Sequence, residues 1–228
     1  MKIALIGKGK TGGEVLNLYP RDQIKVFDSK TPLNLSDLKE CDVAIAFIPG
    51  DVLLKNIPLL IKSEIPLVTG ATGHDWPEDL NDELIKRKCI WISGSNFSLG
   101  MRIMNQMISK LSKIDELYSE YSFNIHEVHH VKKWDAPSGT AKSWKEWLKK
   151  DANITYERVG DTVGEHTLSL QTPFEIIKLK HEALDRRVFA QGALWAAKLI
   201  HHNKNTIGPG LCLFETLTDQ FLNNEVKR

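Results

Sequence analysis

The run "KIALIGKGKTGGEVLNL", Lys2 to Leu18, constrains this chain more than any other stretch in it. A short apolar, β-rich segment ends in Gly7, and Gly9 and Gly12 follow before a segment that can be helical. Together Gly7-Lys8-Gly9-Lys10-Thr11-Gly12 form a G-x-G-x-x-G turn between strand and helix. The first glycine permits the tight turn, the second lets the backbone approach a pyrophosphate, and the third lets the helix pack on the strand. The phosphates of such a ligand sit at the helix N-terminus, where unpaired N–H groups and the helix dipole favour an anion. Asp28 lies 16 residues beyond Gly12 at the end of a second strand, "IKVFD". A carboxylate there can hold the hydroxyls of an adenine ribose. Strand, glycines, helix and acid together favour dinucleotide binding over a merely structural turn.

The alternation continues to about residue 97. "DVAIAFIP" reads as a third strand whose near-continuous apolar content suits burial on both faces. "VLLKNIPLLIKSE" suits a helix, "IPLVTGA" a fourth strand, "PEDLNDELIKRK" a helix and "CIWISGSN" a fifth strand. Strands alternating with helices of these lengths predict a parallel, doubly wound sheet of the Rossmann type. "TGATG", with Gly70, Ala71 and Thr72, follows the fourth strand, and "GSNFS", with Ser95, Asn96 and Phe97, follows the fifth. Both fall on the carboxyl edge, where sheets of this kind bind ligands.

After Asn96 the texture changes. "SLGMRIMNQMISKLSKI" is an amphipathic helix candidate with Ile103, Met107 and Leu111 at helical spacing. "LYSEYSFNIHEVHH" alternates as a strand does, a helix is expected from Ser138 to about Lys150, and "GEHTLSLQTPFEIIKLKHEA" reads as two strands joined near Thr172-Pro173. A smaller α+β domain with an open mixed sheet is the expectation for this part. "VFAQGALWAAKLIHH" in the tail reads as helix.

Composition removes several function classes. The formal net charge of +1 argues against a protein that works on nucleic-acid backbone, which needs a strong basic excess. Cys41, Cys89 and Cys212 are odd in number, far apart and form no CxxC pair, so they signal neither a zinc site nor a disulfide framework. No 18-residue apolar segment suggests a membrane span. The apolar run near the N-terminus spans four residues before the glycines, too short for a signal-peptide core, and a cytoplasmic location is expected.

The stretch "EVHHVKKWDAPSGTA", Glu127 to Ala141, raises a different question. His129, His130, Lys132 and Lys133 precede Ser138, a plausible helix N-cap with Gly139 and Thr140 in the first turn. Exposed N–H groups at that helix start form an anion site, and the cations before it could surround a small dicarboxylate. A histidine there can also donate a proton near neutral pH. Taken alone, the residues equally suit a satisfied strand end and a solvated basic face. A metal site is the weaker alternative, since only Glu127 stands nearby as an acidic ligand.

The same stretch closely resembles the signature E-x-H-H-x-x-K-x-D-A-P-S-G-T-A of the 4-hydroxy-tetrahydrodipicolinate reductases, a family of lysine (diaminopimelate) biosynthesis. The resemblance runs along the chain: "GKGKTG" is similar to the family's glycine turn, "TGATG" to its G-T-T-G, "SNFSLG" to N-F-S-x-G, "VGEHTLSL" to V-G-E-H-T and "FAQGALWAA" to F-A-x-G-A-x-x-A-A. It implies hydride transfer from a nicotinamide cofactor to a cyclic unsaturated dicarboxylate with loss of water. His129 would be the proton donor and Lys133 its partner, while His130, Gly139 and Thr140 would hold a carboxylate. The resemblance also implies a dinucleotide-binding domain of residues 1–98 and 187–228, a substrate-binding and tetramerisation domain of residues 99–186, and a homotetramer. Closure of the two domains would turn on hinges near Asn96 to Gly100 and near Arg186.

Departures from the family bear on the cofactor. The glycine turn lacks the arginine and methionine common before its last glycine, Ala71 replaces a threonine, and "LDRR" stands where serine-arginine is usual, leaving Arg186 as the nearer equivalent. Asp28 favours a free 2′-hydroxyl because a carboxylate repels a 2′-phosphate, and Lys8, Lys10 and Lys30 could offset that repulsion. NADH, with NADPH tolerated, is the expectation. Two rivals remain: a semialdehyde or amino-acid dehydrogenase on the same fold, and a regulator that binds the dinucleotide without turnover. The first lacks the histidine-lysine block, and the second leaves that block unexplained.

Overall fold

The computed structural model describes residues 1–202 and 207–223. The chain divides into two compact units, Met1–Leu99 with Arg186–Arg228, and Gly100–Asp185.

In the first unit β1 (Ile3–Ile6), β2 (Ile24–Phe27), β3 (Val43–Ala46), β4 (Leu67–Thr69) and β5 (Ile90–Ser93) alternate with α1 (Lys10–Leu18), α2 (Leu35–Lys39), α3 (Gly50–Ser63) and α4 (Leu80–Lys86). Every strand pair in this sheet is parallel. The alternation of side chains sends Ile3, Leu5, Val43, Ile45, Val68 and Ile92 to one face. Ala4, Ile6, Ala44, Ala46, Leu67 and Trp91 go to the other. Helices cover both faces, which is why these strands read as continuous apolar runs. The strand order reverses between β1 and β3, leaving a crevice at the carboxyl ends where the glycine turn emerges. The tail completes this unit. α7 (Arg187–His202) packs against the face carrying Ile3 and Leu5, and β10 (Gly210–Leu213) adds a sixth strand beside β5, followed by α8 (Phe214–Leu222). The sequence reading had five strands here. β10 has four residues, one of them glycine, so pairing with β5 rather than pattern defines it.

The second unit carries α5 (Leu99–Leu111, entering from the first unit), β6 (Ser122–His129), α6 (Gly139–Leu148), β7 (Asn153–Arg158), β8 (Glu165–Gln171) and β9 (Ile176–Glu182). The sheet order is β7-β6-β8-β9; β6 and β7 run parallel through the α6 crossover, and the other pairs are antiparallel. This is the mixed open sheet the sequence predicts. β7 had no counterpart in that reading, because four of its six side chains are exposed and apolar alternation is weak. The expected apolar stripe on α5 needs correcting. Ile103 and Met107 are 50% and 43% exposed, and of the expected stripe Leu111 packs against the core, which Met101, Met104 and Ile108 enter with Trp144, Leu148 and Leu168. α5 carries two apolar stripes, and only its packing partners choose between them. Among the described residues, no helix is long and apolar enough to cross a membrane.

Candidate active site

The glycine turn occupies the carboxyl end of β1. Gly7 has a φ of +87°, in the region that favours glycine, and its N–H donates to Phe27 O at 2.8 Å. Gly12 lies so close beneath the turn that a Cβ there would stand 2.0 Å from Gly7 O. Gly9, the N-cap of α1, has no side-chain cap, and a Cβ on it would meet nothing within 4 Å. The first turn of α1 thus presents uncapped N–H groups beside open space, with Lys8, Lys10 and Thr11 around it. That is the cradle a pyrophosphate requires.

Asp28 follows β2. Its carboxylate takes Lys8 Nζ at 2.6 Å and the N–H groups of Lys30 and Thr31 at 2.8 and 3.0 Å. The Lys8 contact first, then the two backbone N–H groups, lower its pKa to about 2. A cavity of about 340 Å³ opens beside it, walled by Phe27, Pro32, Leu33, Ile48 and Val52. An apolar slot with an ionised acid at its rim and N–H donors next to it has the chemistry of an adenine-ribose site, so the residues fit the dinucleotide.

The other residues singled out on this edge divide by role. The Phe47 ring fills the space a Cβ on Gly70 would take, 2.4 Å away, and Ala71 is buried with its N–H on Thr69 Oγ1. Thr72 is exposed. Asn96 accepts from Ser98 N–H at 2.9 Å, and Ser95 is exposed beside it. Phe97 is buried, its ring edge-on to Phe47 and 4.6 Å from Phe214. Its carbonyl oxygen would stand 1.7 Å from a Cβ on Gly192, so α7 is seated directly on this loop. Arg186 is exposed and lies just before α7, its carbonyl accepting from Phe189 N–H.

The histidine-lysine cluster belongs to the other unit. Two-residue alternation on β6 places Glu127 and His129 on the face that α6 covers, and His130 follows at the strand end. Ser138 caps α6, its hydroxyl accepting from Ala141 N–H at 3.2 Å as the sequence predicts. Gly139 is exposed, a Cβ on it would meet nothing within 4 Å, and Thr140 is half-buried next to it. The start of α6 is therefore open to an anion. Lys133 Nζ pairs with Asp135 Oδ1 at 2.6 Å.

A buried carboxylate organises this cluster. Glu127 is fully buried; both its oxygens accept from Ser138 N–H at 3.1 and 3.2 Å, and Arg158 Nη2 lies 3.3 Å from Oε1. Burial opposes its charge, but the Ser138 side chain and N–H, with His129 and His166, hold its pKa below the usual carboxylate range. His166 Nε2 sits 3.2 Å from Ser138 Oγ and 3.5 Å from Glu127 Oε2. Burial, then His129, pulls its pKa down to about 4. His129 is 7% exposed and stacks edge-on to His166 at 5.0 Å, with Nδ1 3.8 Å from Glu127 Oε2. Burial lowers its pKa; Glu127 pulls the other way, and Lys133 and Arg158 reinforce the depression. Nε2 lies on the side of Gly164, where a Cβ would stand 3.2 Å from it. Glu127, His129 and His166 have ligand atoms within 4.8 Å of one another, close enough to be weighed as a metal set. Arg158 and the Ser138 N–H already compensate the carboxylate, so its charge needs no metal ion.

The fold thus gathers His129, His130, Lys133, Gly139 and Thr140 in one unit and the glycine-turn set in the other. Sequence reasoning missed Glu127 as the centre, and His166 and Arg158 altogether. Glu127 was legible, being two residues before His129 and hence on the same strand face. Arg158 carried no such signal.

Comparison with known proteins supplies the lineage. A profile described as "Dihydrodipicolinate reductase, C-terminus" matches residues 100–211. A 4-hydroxy-tetrahydrodipicolinate reductase of Thermosipho africanus is 32% identical, over 90% of this chain and 94% of its own length. One of Christiangramia forsetii is 33% identical, over 88% and 92%. A solved dihydrodipicolinate reductase from Paenisporosarcina sp. TG-14, bound to dipicolinate, shares the fold with a TM-score of 0.74 at 19% identity, covering 96% of this chain and 98% of that one. On the glycine turn, the histidine-lysine cluster and these full-length relatives, the chain belongs to the 4-hydroxy-tetrahydrodipicolinate reductase family.

Proposed function

We propose that this protein reduces 4-hydroxy-tetrahydrodipicolinate to tetrahydrodipicolinate, the 4-hydroxyl leaving as water and one hydride and one proton being gained, in lysine (diaminopimelate) biosynthesis, with His129 as proton donor and Lys133 as its partner. The observation that carries this reading is the meeting of a buried histidine with an open helix start and a lysine on one connecting loop. A reduced nicotinamide, when bound, supplies the hydride.

The chain's own groups do the rest. The N–H groups at Gly9 to Gly12 hold the pyrophosphate, and Asp28 accepts from the ribose hydroxyls. Asp28 favours NADH, while Lys8, paired with it at 2.6 Å, is placed to tolerate a 2′-phosphate. Gly70 to Thr72 and Ser95 to Phe97 border the same edge, and Arg186 is assigned to the cofactor by resemblance alone. In the other unit, N–H groups of Gly139 and Thr140, with His130, take a substrate carboxylate. His129 is neutral at rest because burial disfavours its charge. A bound dicarboxylate brings negative charge beside it and favours the imidazolium. Its Nε2, the nitrogen turned from Glu127, then gives a proton to the enamine or carbanion character that hydride addition leaves in the substrate. Lys133 stabilises that developing charge once the dicarboxylate competes for it with Asp135.

We infer a homotetramer assembled through the second unit. Its support is the resemblance together with Phe174 and Ile176, 99% and 57% exposed at the β8–β9 hairpin. Light scattering on the purified protein tests it; a monomer would discard it. The activity is tested by making the substrate from pyruvate and aspartate semialdehyde with the preceding synthase, and following loss of reduced-nicotinamide absorbance with NADH and NADPH in parallel. Turnover supports the reductase and ranks the cofactors. Intact NADH binding without turnover would favour the dinucleotide-sensing regulator instead.

A further inference from the structure

We propose that Arg158 is a positioning residue for this reaction, tying the loop that carries Lys133 to the buried acid behind His129. This rests on the roles given above to His129 and Lys133. Arg158 ends β7 and is the parallel register partner of His129 on β6, so its side chain emerges beside the cluster. Its guanidinium then reaches in several directions at once. Nε donates to Lys133 O at 3.3 Å, Nη2 to Asp135 O at 2.7 Å and to Glu127 Oε1 at 3.3 Å, and Nη1 to Glu157 O at 2.8 Å.

The two loop carbonyls flank Trp134 and belong to the residues on either side of it, the lysine and its aspartate. One planar cation therefore sets where Lys133 starts from and how Asp135 meets it, while compensating a carboxylate with no solvent exposure. A lysine at the same place could keep the charge but has no fork to span both carbonyls and the acid. Trp134 itself is 99% exposed and Val131 62%, so little apolar packing holds this loop in place of the guanidinium. Its other anchors are main-chain: Val131 N–H to Gly160 O at 3.1 Å and Lys133 N–H to His130 O at 3.1 Å.

The test compares wild type, Arg158→Lys and Arg158→Ala in the coupled assay, with cofactor affinity and melting temperature measured on each. Arg158→Lys is expected to stay folded and bind cofactor as wild type does, yet to lose on the order of 10–100-fold in kcat/KM for the dicarboxylate, since misplacing a reacting group by about 1 Å costs as much. Arg158→Ala is expected to lose more and to regain part of its kcat when methylguanidinium is added, a recovery that a purely structural role would not give. Wild-type kcat and KM in Arg158→Lys overturn the proposal. So does a loss in Arg158→Ala that follows the unfolded fraction and ignores methylguanidinium. Absence of turnover in wild type would instead strike the functional reading on which the proposal rests.

Discussion

At the glycine turn the open groups are main-chain N–H groups, left accessible by the absence of side chains. At the His129 cluster the open N–H groups at the start of α6 are joined by side chains gathered around a buried carboxylate. The first arrangement is local: Gly7, Gly9 and Gly12 lie within six positions and need only β1 and α1 to be correct. The second draws on β6, β7, β8 and the start of α6, through residues separated by up to 39 positions between Glu127 and His166. A backbone site tolerates change in its surroundings and fails on added atoms. A side-chain site tolerates added atoms at its rim and fails when one charge in its support is removed.

The sharpest way to break this contrast is His129→Gln, which should lower kcat by about 10²–10⁴-fold. Cofactor affinity, which the proposed function assigns to the other unit, should stay unchanged in a fluorescence titration. A comparable loss of NADH affinity would mean that His129 also serves cofactor binding.

Acid should distinguish the units next. His166 has a folded pKa of about 4 against an unfolded value of 6.5, so below pH 6.5 the unfolded chain binds a proton that the folded chain refuses. Its contribution, on the order of 3 kcal/mol, is present above pH 6.5 and is lost as pH falls toward 4. Glu127, also held below its ordinary value, continues that loss at lower pH. Asp28 acts only as pH falls from 3.8 toward about 2. Hydrogen exchange should therefore show residues 100–185 losing protection at a higher pH than residues 1–99; simultaneous loss would mean a single cooperative unit.

Within the glycine turn, Gly12→Ala and Gly9→Ala should separate packing from ligand access. The first puts a Cβ 2.0 Å from Gly7 O and should cost about 1–3 kcal/mol, read as a lower melting temperature. The second meets no protein atom within 4 Å and should leave melting unchanged while raising the cofactor KM. Equal melting temperatures would refute the assignment of Gly12 to helix packing. The smallest effect belongs to Lys8→Ala, which removes an ion pair whose lysine is exposed: melting should move by no more than about 2 °C. The ratio of NADPH to NADH efficiency should fall, and an unchanged ratio would remove Lys8 from cofactor choice.

The sequence read well where physics is local. Strand-helix alternation, the turn glycines, Asp28 at a strand end and Ser138 as a cap each depend on neighbours a few residues away, and each stands where the pattern placed it. It read poorly where two patterns compete or where a partner comes from far along the chain. α5 offers two apolar stripes, and Ile103 and Met107 of the one its spacing favours are exposed. Phe97 was singled out for its loop, yet its ring belongs to the core beside Phe47 and Phe214.

By itself, then, the chain determined an α/β fold with a dinucleotide turn and a cationic stretch before a capped helix, because periodicity and backbone freedom are properties of short segments. Only the tertiary structure decided that Glu127 is the buried centre of that stretch, that His166 stands behind His129, and that Arg158 links the Lys133 loop to Glu127. Those depend on the parallel register of β6 with β7 and the antiparallel register of β6 with β8, which bring distant residues within hydrogen-bond reach. A strand's own residues do not specify which strand will lie beside it; burial of shared surface does.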